Sequence, residues 1–421
     1  MGDSQQYLEV INNISDGYGF SRINIMDNQM KPYSRKPPIF FYSSFLINKT
    51  LKEKLENNII ILNFLSSILI LLLWLYITYL ITENKKITII TGWLLLINPN
   101  LIYNSLTIMS DTFYLLTFSL FVLFFILSIK KKNKYLFFIS GISMGISVLT
   151  RTVLKAFWIF GIIFIIFFLK DEIKKKIKYS LLFLAGHLLI VLPYHIRNYI
   201  AFNSPSPIEH DQGVAVSWMI IPLVERTNYA SLINKYPTLS KIIKLLKNQE
   251  APPLDKIKLS LKLSDIKLCK YLTLITLYTI KENPVQYLKL YIKNVINIIT
   301  SSSSYLLIID TFKEGFYYKQ HKTFKEFVLF ETKKDLKEIL IILPNLFFRF
   351  INLIFFIIFV VGIMIFYKNS KDIAVFLIIL FSYIIIVSSL ALGYDRYRLP
   401  IDPLISIFSV YFMYNNIKVN I

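Results

Sequence analysis

Only one cysteine, Cys269, occurs among the 421 residues. That excludes an intramolecular disulfide framework and a CxxC metal or redox site. A small residue on a helix face is the simplest reading of it. The four histidines (His187, His195, His210 and His321) show no HExxH or H-x-x-x-H spacing. Neither GxGxxG nor GxxxxGK[ST] occurs, so nothing suggests a soluble nucleotide site. Charge is also scarce. Charged residues make up 17% of the chain, against about a quarter in a soluble domain.

What is present is apolar side chain. Hydrophobic residues account for 55% of the sequence, and the mean hydropathy is +0.55. They lie in runs, which places the chain in the membrane class. The net charge of +21 would suit nucleic acid only if the basic residues formed a stripe on a soluble domain. Many instead sit in short clusters between apolar runs, as the positive-inside rule produces. Nucleic acid is therefore not expected as a partner, and membrane lipids are.

A membrane helix needs about 20 mostly apolar residues. The runs that qualify or nearly do are 58–82, 87–102, 111–129, 135–150, 153–169, 178–194, 345–367, 372–392 and 400–416. The expected fold is an all-α polytopic membrane bundle of about nine spans. Loops rich in lysine, such as Lys130–Lys134 and Lys170–Lys178, alternate with turns carrying only Arg151, Lys155, Arg396 and Arg398. The lysine-rich set is expected to be cytoplasmic. Four sections follow: an outer-face loop at 1–57, six spans in 58–194, a large, partly helical outer-face region at 195–344, and three spans in 345–421. Within the third, Leu239–Lys247 and Pro284–Thr300 are amphipathic and suited to lie in the interface plane. No repeat of fixed period is visible.

Nine spans with a cytoplasmic C-terminus put Met1 outside, yet residues 1–57 contain no apolar run to carry them across. A further span upstream of Gly2 is expected, which would make ten spans.

Acidic residues near a membrane boundary are costly and often functional. Two stand out on the expected outer face: Asp3, in Gly2-Asp3-Ser4-Gln5-Gln6-Tyr7, and Asp111, in Met109-Ser110-Asp111-Thr112. Asp3 read alone is a solvated terminus. Asp111 with Ser110 also suits an N-cap and first turn. On the same side lie Arg35, Lys36, Arg151, Arg197, Arg396 and Arg398. Such cations bind a lipid phosphate, arginine bidentately and lysine as a point charge, or they snorkel to head groups. Glu209-His210-Asp211 looks like a metal cluster, but three adjacent side chains cannot all face one ion in regular structure.

Several segments, in order, resemble the polytopic lipid-phosphate-sugar-dependent glycosyltransferases, the GT-C superfamily of the protein O-mannosyltransferases and the aminoarabinose transferase of lipid A. Asp3 through Tyr7 with Gly17-Tyr18-Gly19-Phe20 is similar to that family's first outer loop. Ser34-Arg35-Lys36-Pro37-Pro38 is similar to its basic-Pro segment, and Ser110-Asp111-Thr112 to its second acidic motif. Gly141-Ile142-Ser143-Met144-Gly145 through Leu149-Thr150-Arg151, Pro193-Tyr194-His195-Ile196-Arg197-Asn198-Tyr199 and Arg396-Tyr397-Arg398-Leu399-Pro400 complete the series.

The resemblance implies a GT-C-like bundle. It also implies Asp3 and Asp111 as the acidic pair of a catalytic cavity, and Lys36 with one or more arginines as holders of the carrier phosphate. The expected activity is inverting transfer of a sugar from a polyprenyl-phosphate donor to a hydroxyl of a lipid, polysaccharide or protein acceptor. It would occur on the outer face of the cytoplasmic membrane. A divalent metal is compatible with this chemistry but not required by the sequence. The alternatives are a transporter or flippase of a lipid-linked or charged solute, which would need charge along a path through the membrane, and a scaffold without chemistry.

Overall fold

The computed structural model describes residues 3–23, 28–51, 53–203, 212–247, 254–303, 336–390 and 395–419. In its described part each of the nine apolar runs is largely helical, but the helices differ in length and some runs are broken. Among the described residues five helices are long and apolar enough to cross a membrane: α3 (Leu55–Thr82), α6 (Asp111–Lys131), α9 (Ile173–Phe202), α16 (Leu336–Asn369, over its part from Leu346) and α17 (Lys371–Ser389). A sixth is reached if α4 (Lys85–Leu96) and α5 (Pro99–Ser105), bent by 55°, form one broken span.

The reason for the break is local. The Asn98 side chain accepts hydrogen bonds from the amides of Asn100 and Leu101 and so caps a new helix. Pro99 at its start offers no N–H to the preceding turn. The run 153–169 shortens for a similar reason. Residues Thr152–Leu154 wind as a 3-10 turn, leaving α8 (Phe157–Phe167) only 11 residues. Helix α7 (Lys134–Val148) has 15 residues, and α18 (Asp402–Val419) has 18.

The two regions expected on the outer face are more structured than loops. Residues 1–57 hold α1 (Asp3–Ser15), a small antiparallel pair of strands, β1 (Ser21–Ile23) and β2 (Met30–Pro32), and α2 (Ile39–Leu51). Helix α9 continues past the boundary at 194/195 as far as Phe202. After it come α10 (Gln212–Val224), α11 (Ala230–Lys235), α12 (Leu239–Leu246), α13 (Leu254–Leu261), α14 (Asp265–Glu282) and α15 (Pro284–Thr300). These form a helical unit with its own core. The α12 stripe Leu239, Ile242, Ile243 and Leu246 is buried against Leu268, Leu272 and Ile275 of α14. The two amphipathic stretches read from the sequence are thus α12, with Lys247 at its end, and α15.

In the main bundle, aromatic rings fill the space between α6, α8, α9 and α17. Phe125 stacks on Phe376 with centroids 4.2 Å apart, while Phe164 and Phe183 also meet Phe125. Beside this, α7 and α9 pack backbone to backbone. A Cβ at Gly141 would collide with the Phe183 carbonyl oxygen, and one at Gly186 with the Phe138 carbonyl oxygen. Small residues that admit close helix approach are the usual means of packing where lipid removes the hydrophobic drive.

Gly186→Val should therefore force α7 and α9 apart and destabilise the bundle by about 1–3 kcal/mol or more. Thermal unfolding of the detergent-solubilised protein reads this as a lower midpoint; an unchanged midpoint would refute the contact.

Candidate active site

The site forms where α6 begins. Asn63, in the middle of an otherwise apolar stretch of α3, donates from Nδ2 to the Thr107 carbonyl (2.8 Å) and the Met109 carbonyl (2.9 Å). These bonds fix the loop that delivers Asp111 to the first turn of α6. Ser110 occupies the N-cap position but makes no capping bond. Its hydroxyl instead pairs with the phenol of Tyr7 at 2.8 Å, both groups buried. The expectation of a Ser110 cap is thus corrected: the competing partner from α1 wins.

Asp111 is 3% exposed, and its Oδ1 accepts from Nη1 of Arg151. Arg151 is set by the chain on both sides of it. The amide of Ile39 donates to the Leu149 carbonyl at 3.0 Å, tying α2 to the end of α7. Tyr383 of α17 grips the 3-10 turn after Arg151. Its hydroxyl donates to the Val153 carbonyl (2.9 Å) and accepts from the Ala156 amide (3.1 Å). The guanidinium of Arg151 lies 5.5 Å from the Tyr397 ring centroid and 6.0 Å from that of Tyr114. The Arg396 guanidinium lies 5.3 Å from the centroid of the same Tyr397 ring.

Asp111, Tyr114, Arg151, Ser388, Arg396 and Tyr397 line one cavity. It is narrow, about 10 Å³, the space of a single water site. A pair of arginines with aromatic faces beside them is chemically suited to an oxyanion. Each guanidinium presents a planar fork of donors, and the rings hold it without competing for those donors.

Lys36 joins this group through Tyr7. Its ammonium sits over the Tyr7 ring, 4.5 Å from the centroid, and the same ring carries the hydroxyl bonded to Ser110. Arg35, next to it, is buried. Asp3 starts α1, and helical spacing sets it one turn before Gln6 and Tyr7. The Asp3 side chain itself lies outside the described residues, as do Glu209, His210 and Asp211.

Two of the arginines singled out in the sequence are occupied elsewhere. Arg197 on α9 donates to the carbonyls of Tyr33 (2.8 Å) and Phe20 (3.0 Å) and to Asn198 Oδ1 (2.7 Å), clasping the base of the strand pair. Arg398 is buried and donates to Asp402 Oδ1 at 2.5 Å, and to the carbonyls of Ile299 (2.7 Å) and Ser301 (3.1 Å). Asp402 Oδ2 accepts from Asn100, whose own Oδ1 accepts the Ser303 amide at 2.7 Å.

Asn63, Asn100, Tyr383 and Asp402 were missed from the sequence. Amides inside apolar runs were the available signal for the first two, since such groups at membrane depth need a partner. Tyr383 and Asp402 carry no local signal. The segment Gly141-Ile142-Ser143-Met144-Gly145 matches the GxSxG pattern of a nucleophile elbow, but it lies inside α7. There the Ser143 hydroxyl donates to the Ile139 carbonyl four residues back, which is a helical bond and not a strand-to-helix turn.

Among the described residues no three His, Cys, Asp or Glu side chains gather as a metal-binding set.

Removing Asp402 should leave a buried guanidinium without its carboxylate. Asp402→Ala is expected to cost about 3–5 kcal/mol, seen as a lower unfolding midpoint. Retention of the wild-type midpoint would refute the network.

Comparison with known proteins bears on the fold around this site. Residues 35–196 match the family model described as dolichyl-phosphate-mannose-protein mannosyltransferase. That stretch contains Lys36, Asp111 and Arg151. No curated protein matches the chain. Among solved structures, the archaeal oligosaccharyltransferase AglB of Archaeoglobus fulgidus, in complex with an inhibitory peptide and a dolichol-phosphate, aligns with a TM-score of 0.55 at 14% identity. The alignment covers 99% of this chain and 48% of AglB, so the chain spans about half the length of that protein. ArnT of Cupriavidus metallidurans, bound to undecaprenyl phosphate, aligns at a TM-score of 0.41 and 13% identity, over 96% of this chain and 73% of that one. Sequence match and fold agree: this is a polytopic membrane protein with the GT-C glycosyltransferase fold, matching the dolichyl-phosphate-mannose-protein mannosyltransferase family over residues 35–196.

Proposed function

We propose that this protein transfers a glycosyl group from a polyprenyl-phosphate sugar to an acceptor hydroxyl at the outer face of the cytoplasmic membrane. The observation that carries the reading is the joining of Asp111, Arg151 and Arg396 in one cavity at the end of the bundle where α6 begins. A lipid phosphate needs cations at membrane-boundary depth, and a hydroxyl nucleophile needs a carboxylate within reach. The dolichol-phosphate held by AglB belongs to the same chemical class as the donor proposed here.

In the proposed step the acceptor oxygen attacks the anomeric carbon from the face opposite the phosphate. The acceptor proton passes to a carboxylate, for which Asp3 is the candidate base. The bond between the anomeric carbon and the phosphate oxygen breaks with its electron pair, leaving the polyprenyl phosphate with one more negative charge. Configuration at the anomeric carbon inverts. Arg151, Arg396 and Lys36 meet the charge that develops on the leaving phosphate.

Asp111 orients Arg151 in the resting state and stands as the second carboxylate near the acceptor. In the resting state its charge is offset by Arg151. The donor and the sugar require the cavity to widen from its narrow resting form, which makes the Asp111–Arg151 pair a contact that the phosphate competes with.

Asp111→Asn and Asp3→Asn should each abolish transfer from a polyprenyl-phosphate sugar while the protein still inserts and folds. Near-wild-type turnover in Asp3→Asn would exclude it as the base. Lys36→Ala removes a charged phosphate contact of roughly 1.5–3 kcal/mol. The apparent KM for the lipid donor should rise about 10- to 100-fold, with the acceptor KM little changed, and an unaltered donor KM would assign Lys36 to lipid head groups.

Sidedness has its own check. With Cys269 replaced by serine, a cysteine near Lys132 should resist an impermeant maleimide in intact cells, whereas one near Lys235 should react. The reverse pattern would overturn the orientation.

A further inference from the structure

The face of α15 turned away from the bundle is apolar along its length. Val285, Leu288, Ile292 and Ile296 recur at helical spacing and are each about half exposed, at 59%, 54%, 48% and 54%. Single exposed apolar residues need no explanation, but a continuous stripe does. Lys289 and Lys293 are exposed along one edge of this stripe. On α14 and α15 together, five lysines (Lys267, Lys270, Lys281, Lys289 and Lys293) are exposed, and the only described acidic side chain among them is Glu282.

The opposite side of α15 is fastened by polar bonds to the ends of two long apolar helices. Tyr291 donates to the Ile386 carbonyl at 3.3 Å, and Asn294 donates to the Ser389 carbonyl at 3.2 Å, both on α17. Arg349 of α16 donates to Asn297 Oδ1 at 2.7 Å, and Asn352 donates to the Ser301 carbonyl at 2.8 Å. Those helices carry exposed apolar residues of their own, among them Phe347, Phe350 and Ile386. Helix α15 is thus fastened to two long apolar helices that, like its own stripe, carry exposed apolar side chains.

We infer that α15 is an interfacial helix that docks on anionic phospholipid, with its apolar stripe among the acyl chains and Lys289 and Lys293 at the head-group phosphates. The charge, the exposed stripe and the attachment of α15 to two helices long and apolar enough to cross a membrane agree on this occupant. Lysine stems can lie along apolar surface while the ammonium reaches the phosphate. The arrangement has a consequence for the cavity. The Asn294 bond ends on Ser389, next to Ser388 in the cavity wall, so a lipid-held α15 fixes that wall from outside.

The test needs no transferase assay, so its failure is separable from failure of the proposed reaction. The full chain with Cys269→Ser and Ile292→Cys, labelled with an environment-sensitive fluorophore, is placed in nanodiscs of phosphatidylcholine with about a third of a nitroxide-bearing lipid. Strong quenching is expected from shallow nitroxide lipid and little from aqueous iodide. Nitroxide-phosphatidylglycerol should quench several-fold more than nitroxide-phosphatidylcholine at equal content. Lys289→Gln with Lys293→Gln should remove that excess and leave the phosphatidylcholine quenching intact. Quenching by iodide alone would mean a solvated face, and protection from both quenchers would mean a protein partner or second copy; either overturns the inference. So would a phosphatidylglycerol preference that survives in the double lysine variant.

Discussion

A carboxylate at the boundary of a membrane bundle is stable only with a partner, and Asp111 has one in Arg151. Taking either ion out of water alone is costly, and the cost is recovered only when the two meet with good geometry. Much of the surrounding structure serves that meeting. Asn63 holds the loop before Asp111, the Ile39–Leu149 bond and Tyr383 hold the segment around Arg151, and Tyr114 and Tyr397 flank the guanidinium. The glycine contacts between α7 and α9 matter for the same reason: Arg151 follows directly on the end of α7, so the seat of α7 determines where that cation lies.

The other arginines show how one residue type divides between the frame and the cavity lining. Arg197 and Arg398 spend donors on main-chain carbonyls, which fixes the strand pair in one case and the end of α15 in the other. A guanidinium can do this because it carries five donors in a planar fork and stays charged at any relevant pH. Arg151 and Arg396 instead face a shared cavity lined by tyrosines. The chain thus uses Arg197 and Arg398 in its frame, and the proposed glycosyl transfer draws on Arg151 and Arg396 at the cavity.

The membrane character, the helical class and the family resemblance were legible without coordinates. Long apolar runs can be satisfied in lipid only by helices that close their own hydrogen bonds, so composition alone carried that far. Span number was less legible. A run of apolar residues does not reveal that Asn98 will cap a new helix, or that residues 152–154 will tighten into a 3-10 turn. The amphipathic period of α12 and α15 was visible because a 3.6-residue repeat is written in sequence order.

The candidate site divides along the same line. The sequence by itself determined the inventory: Asp111, Arg151, Arg197, Arg396 and Arg398 near the ends of apolar runs, and Arg35 and Lys36 in the basic-Pro segment. Only the tertiary structure decided their partners, because Asp111 and Arg151 lie 40 residues apart and Asn100 and Asp402 lie 302 apart. Pairing over such separations depends on which helix ends pack together. That is set by ring stacking and glycine contacts across the bundle, where no local pattern in the chain records the choice.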